Sequence, residues 1–177
     1  MYLTIFSKLL SNKFKLFLAL VLIVSTPILI AQEQSNINLS SLSQNGSLTI
    51  SNETAYLIDY NDDLTVQKIL STQPEMDNIQ SKVINFGYVD HGYWFSTVIE
   101  NDLSINQSFL YEVDYPPLDN LDLYIIDPVT NTILNEYKTG DSLPFESRAL
   151  DQPSYVFPIE LKATETIRIL LKIDTQS

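Results

Sequence analysis

The chain has 177 residues, of which 45% are hydrophobic, and its 22 acidic and 10 basic residues give a formal net charge of −12. It has no cysteine and one histidine, His91, which excludes thiolate zinc sites, iron–sulfur clusters, a cysteine nucleophile and His-rich metal centres. We therefore expect no metal and no cofactor. The acidic excess repels nucleic acid and anionic lipid, so nucleic acid is not an expected partner.

Residues 1–31 have the order of a secretory signal peptide: a lysine-bearing start, an apolar run over residues 16–24, and the small residue Ala31 before polar Gln32. An uncleaved membrane anchor is the alternative, because residues 14–30 form an apolar stretch of 17. Either form places the rest of the chain outside the cytoplasm. The remaining 146 residues (177 − 31) are enough for one domain.

Residues 32–45 are rich in Ser, Asn and Gln without an apolar period, which predicts a polar spacer between the membrane and the domain. The folded domain is therefore predicted over residues 46–177. An early strand is expected at residues 56–59, and residues 64–71 hold the one expected helical segment.

The later segments predict strands by their period of two. Residues 92–100 are apolar on both faces, which indicates a central strand, and residues 108–115 have one apolar and one polar face. Residues 121–126 and 133–137 flank the turn signal Asp127-Pro128, which predicts a hairpin. Residues 167–174 show the strictest alternation of period two in the chain. Short strands at this spacing predict an all-β fold, a β-sandwich or jelly roll.

Several blocks in this part of the chain together carry a family resemblance. They are Asn85-Phe86-Gly87-Tyr88, Tyr93-Trp94-Phe95, Asn101, and the segments at residues 111–124, 139–148 and 156–161. In this order and spacing the chain resembles, over about residues 54–175, the second type of extracellular domain of bacterial seven-transmembrane receptors with diverse intracellular signalling modules.

The resemblance implies a periplasmic jelly-roll sensor domain that is similar to carbohydrate-binding modules and binds a small molecule or a carbohydrate. In such receptors the domain precedes a bundle of seven membrane helices and a cytoplasmic diguanylate cyclase or histidine kinase. The expected partners are this ligand, the membrane through the N-terminal segment and the bundle, and a second copy in a homodimer. A periplasmic carbohydrate-binding module without a signalling role, free or anchored, is the alternative function.

Tyr88, His91 and Tyr93 surround a glycine-bracketed turn, residues 87–92, where rings at the rim of a sandwich reach solvent and contact a ligand. A solvated loop histidine is the other interpretation of His91. Trp94, in contrast, lies in mid-strand and is expected in the core.

Tyr115 and Asp119 lie with Asp114 and Asp122 in one connection between strands, where carboxylates bind sugar hydroxyls or a Ca²⁺ ion, or are merely solvated. Arg148 ranks first as a ligand contact because it is one of seven basic residues after residue 31. Its guanidinium suits an anionic ligand, or an internal pair with Glu146 or Asp141.

No Gly-x-Ser-x-Gly elbow or other catalytic motif occurs in the sequence, so an enzyme is not expected. A glycosidase with two carboxylates needs no local motif and stays open on composition alone.

Overall fold

The computed structural model describes residues 36–79, 91–115 and 117–174. The predicted signal segment over residues 1–31 and the candidate residue Tyr88 lie outside these ranges. Within them, no helix is both long and apolar enough to span a bilayer.

The described residues form short strands with little helix between them. The strands are β1 (Ile37–Asn38), β2 (Ala55–Asp59), β3 (Asp77–Asn78), β4 (Gly92–Glu100), β5 (Gln107–Val113), β6 (Asn120–Asp127), β7 (Thr132–Thr139), β8 (Tyr155–Leu161) and β9 (Thr166–Asp174). The helices are α1 (Leu39–Asn45) and α2 (Val66–Thr72), and Ser51–Glu53 and Phe145–Ser147 are 3₁₀ turns. The all-β class expected from the sequence is confirmed.

Most of the strands form one large sheet in the order β3-β2-β4-β9-β6-β7, and all neighbours along this path are antiparallel. The short strand β1 adds a parallel pairing at the end of β4, where Asn38 lies opposite Glu100. Since β2 pairs with the first half of β4, both strands share the edge of β4 that β9 does not occupy. As predicted, β4 is central.

A second, two-stranded sheet of β5 and β8 lies over the inner face of the large sheet. Alternate residues of β4, β6 and β9 point into the space between the sheets, as the strand period requires. They join β5 and β8 side chains in the main core, which includes Phe95, Leu123, Phe157, Ile159 and Ile169. The predicted strands and the β6–β7 hairpin are confirmed, whereas the strand β8 was not predicted.

The outer face of the large sheet is covered by α2. Thr65 caps this helix by accepting a hydrogen bond from the Lys68 amide at 3.2 Å, and Val66 and Ile69 turn toward the sheet. Trp94 is 1% exposed there, and its ring stacks on Tyr124 at a centroid distance of 6.1 Å. The prediction that Trp94 belongs to the core is confirmed, in the smaller cluster beneath α2.

The sandwich is fastened at the end where β4 finishes. Asn101 is fully buried, and its Nδ2 donates to the carbonyls of Lys162 at 2.7 Å and Ile105 at 2.9 Å. Its Oδ1 accepts from the Leu103 amide at 3.2 Å. One side chain therefore joins the connections that follow β4 and β8.

The predicted spacer over residues 32–45 requires a correction in its described part, because Ile37, Leu39 and Leu42 pack on the domain. Ile37 and Leu39 are 6% and 3% exposed and belong to the main core. Ser40 donates from its amide and its hydroxyl to the carboxylate of Asp102. Two buried side chains with no helical or strand period were too weak a signal to separate this segment from a polar linker.

Candidate ligand-binding site

The strand register gathers the described candidate residues at one end of the sandwich, which we call the Gly92 end. Here β4 begins, β9 finishes at Asp174, and β6 begins at Asn120, which lies opposite Asp174. The small sheet reaches the same end, because the Tyr155 hydroxyl donates to the carbonyl of Leu118 at 3.0 Å. The connections that carry the predicted residues therefore lie at the same end of the sheets, although they are far apart in sequence.

Arg148 lies in the connection between β7 and β8. Its guanidinium carbon is 4.2 Å from the ring centroid of Tyr155 and 5.2 Å from that of Phe145, and its Nη1 donates to the carbonyls of Gln152 and Pro153. No carboxylate in the described ranges lies within 4.0 Å of it. Arg148 therefore forms no ion pair with Glu146 or Asp141 within 4.0 Å, contrary to the alternative given in the sequence analysis. Aromatic rings and backbone carbonyls hold the guanidinium instead.

Tyr155 is the platform beneath Arg148. Its ring is 1% exposed. Burial raises the pKa of this phenol, and the nearby Arg148 opposes that rise while Asp141 adds to it. The phenol stays neutral at physiological pH, so the platform carries no charge that would neutralise the guanidinium.

A clamp joins the β5–β6 connection to the β7–β8 connection. Ser142 donates from its hydroxyl to the carbonyl of Asp119 at 2.6 Å and from its amide to the same carbonyl at 3.1 Å. Gly140 makes this approach possible, since its φ is +148° and an added Cβ would lie 2.1 Å from the Asp119 carbonyl oxygen. Asp119, one of the predicted residues, is thus fixed through its backbone while its side chain is half-buried.

The β2 turn and the start of β4 form the other side of the Gly92 end. Asp62 accepts the Gly92 amide at 2.9 Å, and both carboxylate oxygens of Asp59 accept amides of the turn. The Tyr60 ring meets the His91 ring edge-on at 5.0 Å. His91 is half-buried, and its Nδ1 is buried with no hydrogen-bond partner among the described residues.

Tyr93 does not reach solvent, contrary to the expectation for a ring at the rim. It is 6% exposed, and its ring stacks on Phe95 with centroids 6.2 Å apart. Burial is the main reason why its pKa is raised, and Tyr60 and Tyr56 contribute. The alternation of β4 turns this side chain inward, because its neighbour Trp94 faces α2. A direct ligand contact by Tyr93 stays a prediction.

Tyr115 is 59% exposed directly after β5, as the ligand hypothesis requires. The carboxylates of its connection, however, diverge. Asp122 lies on the outer face of β6, where its Oδ2 accepts the Tyr124 hydroxyl at 3.2 Å. No three acidic or histidine side chains of the described ranges are close enough to hold a metal ion, so the calcium alternative finds no ligand set there.

Two exposed rings at this end were not predicted from the sequence. Tyr60 is 65% exposed and Phe145 is 50% exposed, and both lie beside a predicted residue. The available signal was an aromatic residue inside a polar connection, which is unusual for a purely solvated loop. Rings of this kind stack on the apolar faces of sugars or of other planar ligands, while guanidinium, amide and carboxylate groups orient the ligand.

A second arginine occupies the outer face, away from the Gly92 end. Arg168 donates from Nε to the Ser96 hydroxyl at 2.9 Å, and its Nη2 lies 3.6 Å from the sulfur of Met76. Burial lowers its pKa. The hydrogen bond to Ser96 packs Arg168 against the neighbouring strand β4, and Arg168 adds nothing to the candidate site.

Comparison with known families gives one match. The model of the family described as 7TMR-DISM extracellular 2 matches residues 51–177, more than half of the chain. This confirms the resemblance inferred from the sequence motifs. Among curated proteins, none matches the chain.

Proposed function

Because the chain belongs to the 7TMR-DISM extracellular 2 family, whose members are extracytoplasmic sensor domains of membrane receptors, we propose that it binds a small ligand at its Gly92 end. The proposed ligand is a small molecule or a carbohydrate. The family is non-catalytic, and we propose no catalytic role for this chain.

The observation that carries this proposal is the setting of Arg148. A guanidinium that stacks on a buried tyrosine and a half-exposed phenylalanine, with no carboxylate within 4.0 Å in the described ranges, keeps charge and donors available for a ligand. In a chain of net charge −12, acids that would pair with it are abundant. That none of them in the described ranges lies within 4.0 Å supports a binding role over a structural ion pair.

The rest of the proposed receptor follows from the resemblance. The domain works in the periplasm and is coupled to a bundle of seven membrane helices, which drives a diguanylate cyclase or a histidine kinase in the cytoplasm. The jelly-roll connectivity and the likeness to carbohydrate-binding modules belong to the same proposal. Signalling requires that the ligand bind one arrangement of the receptor more tightly than another.

Replacement of Arg148 tests the site. The full chain, its Arg148→Ala variant and its Lys162→Ala variant are titrated with a neutral hexose oligosaccharide and with the matching uronic-acid oligosaccharide, and thermal unfolding is followed. Lys162 is the matched control, because it carries the same charge at the opposite end of the sandwich.

We expect one of the two probes to raise the unfolding temperature of the wild type and of Lys162→Ala, and to leave Arg148→Ala unchanged. Arg148→Lys should recover only part of the response, since the lysine ammonium lacks the planar stacking surface. Collapse of the Arg148→Ala transition without ligand would assign Arg148 a structural role. An unaltered response of Arg148→Ala would place the ligand elsewhere.

A further inference from the structure

The strand β7 forms a long edge of the large sheet. It pairs with β6 along one side, and no other strand of the described residues pairs with its second side. Along this eight-residue strand, alternate residues point their backbone N–H and C=O groups away from β6, which makes the edge a template for another strand. Short strands protect the opposite side of the sheet, where β3 has two residues and β2 has five.

Proline and a bulge, two of the usual protective devices, are missing from the second half of this edge, whose protection consists of the charged residues Glu136 and Lys138. Residues 132–139 contain no proline. The register irregularity with β6 lies between Ile125 and Ile126, so the stretch from Asn135 to Thr139 is regular. Leu134 is 53% exposed. The regular stretch is also accessible, since the side chains of Glu136 and Lys138 within it are more than half exposed.

Tyr137 stays clear of this edge because its side chain points into the sandwich. Its ring lies 5.2 Å from that of Phe157, and its hydroxyl contacts the carbonyl of Pro158 at 3.4 Å. A strand added along the backbone of β7 would not displace this packing.

Among the registers centred on residues 136 to 138, the charges on β7 favour one for a second copy. A two-fold axis perpendicular to the sheet keeps each side chain on its own face, so symmetric antiparallel pairing must be centred on a residue. Centring on Glu136 opposes two glutamates, and centring on Lys138 opposes two lysines. Centring on Tyr137 places Glu136 opposite Lys138 of the partner subunit, twice.

We propose that two copies of this chain associate through β7, centred on Tyr137, so that their large sheets become one continuous sheet. Glu136 and Lys138 are available for this contact, because their side chains are 54% and 59% exposed and approach each other within the strand only to 4.0 Å. Opposite charges directly across an antiparallel pair stabilise the pairing, and like charges destabilise it.

Charge reversal tests the register. The full chain, Glu136→Lys, Lys138→Glu and the double variant carrying both changes are compared by light scattering over a concentration series. We expect wild type and double variant to dimerise, and each single reversal to raise the dimer dissociation constant by about tenfold or more. An equimolar mixture of the two single variants should dimerise again, because every facing pair is then complementary.

A monomeric wild type at all concentrations would overturn the proposal, as would dimers that persist unchanged in both single variants. Thermal unfolding of each variant shows whether it is folded.

Disulfide trapping gives a second, independent measurement, because the chain has no cysteine. Directly opposite residues in an antiparallel pair have Cα atoms about 4.5 to 5.5 Å apart, within the range that a disulfide spans. Mixed Glu136→Cys and Lys138→Cys chains should therefore cross-link on oxidation. Each variant alone brings its cysteines only to a diagonal position, about 7 to 8 Å apart, and should cross-link far less. Equal yields in all three samples would overturn the proposed register.

Discussion

Replacement of Asn101 by alanine should remove a large part of the stability of the domain. The side chain donates to the carbonyls of Lys162 and Ile105 and accepts the amide of Leu103, and it is fully buried. Each such bond contributes about 1 kcal/mol net, and each buried group left without a partner costs about 1 to 3 kcal/mol. Solvent entering the vacated site satisfies some of these groups, so we expect a loss of about 3 to 5 kcal/mol. That is a large fraction of the roughly 5 to 15 kcal/mol typical of a domain.

Urea denaturation of the full chain measures this loss. Trp94 is the single tryptophan and is buried, so its fluorescence reports unfolding of the sandwich. The slope of the free energy of unfolding against urea concentration should be the same for Asn101→Ala as for the wild type, since both expose the same surface on unfolding. Asn106→Ala is the control, because Asn106 makes one exposed hydrogen bond, from the Ala163 amide at 3.1 Å, and should cost less than about 1 kcal/mol. A loss below about 1 kcal/mol for Asn101→Ala would refute the reasoning.

Two further substitutions test contacts at the two ends of the sandwich. Hydrogen bonds from the Ser40 hydroxyl and amide lower the pKa of Asp102, so their stabilisation is present above the ordinary carboxyl range and is lost as pH falls through the lowered pKa. The unfolding temperatures of the wild type and Asp102→Asn should therefore differ at pH 7 and begin to converge only as the pH falls below about 4; a constant difference would contradict this. Gly140→Ala should lower the unfolding temperature more than Gly46→Ala. Both glycines have a positive φ, but only at Gly140 would the added Cβ collide with backbone atoms. Equal losses of unfolding temperature would contradict the clamp.

The alternating segments were predictable because each strand carries its own signal. Residues 92–100 and 167–174 become β4 and β9, and their pairing follows from apolar faces that one core must bury. The segment of Ile37 and Leu39 carried no comparable signal. Its burial depends on a parallel contact with β4, more than sixty residues away, which local composition does not report.

The candidate site was predictable only in part, for a related reason. Arg148 stands out by its rarity in an acidic chain, and Tyr115 by its place in a polar connection. The positions of Tyr155 and Phe145 beside Arg148 depend on how the β7–β8 connection folds back. The contact between Tyr60 and His91 depends on the pairing of β2 with β4. Tyr93 was expected to reach solvent because it adjoins the turn, but the alternation of β4 turns its side chain into the core.

The pairing of Asn120 with Asp174 determines how easily the sheet opens at the Gly92 end. Asn120 follows the clamped Asp119, and it lies opposite the last described residue of β9. The next pair inward, Leu121 with Ile173, already includes a fully buried side chain, so opening the sheet further would expose core surface. The terminal Asn120–Asp174 pair can therefore open without exposing core surface, whereas the next pair cannot, so we expect a displacement of the β5–β6 connection to open this terminal pair first.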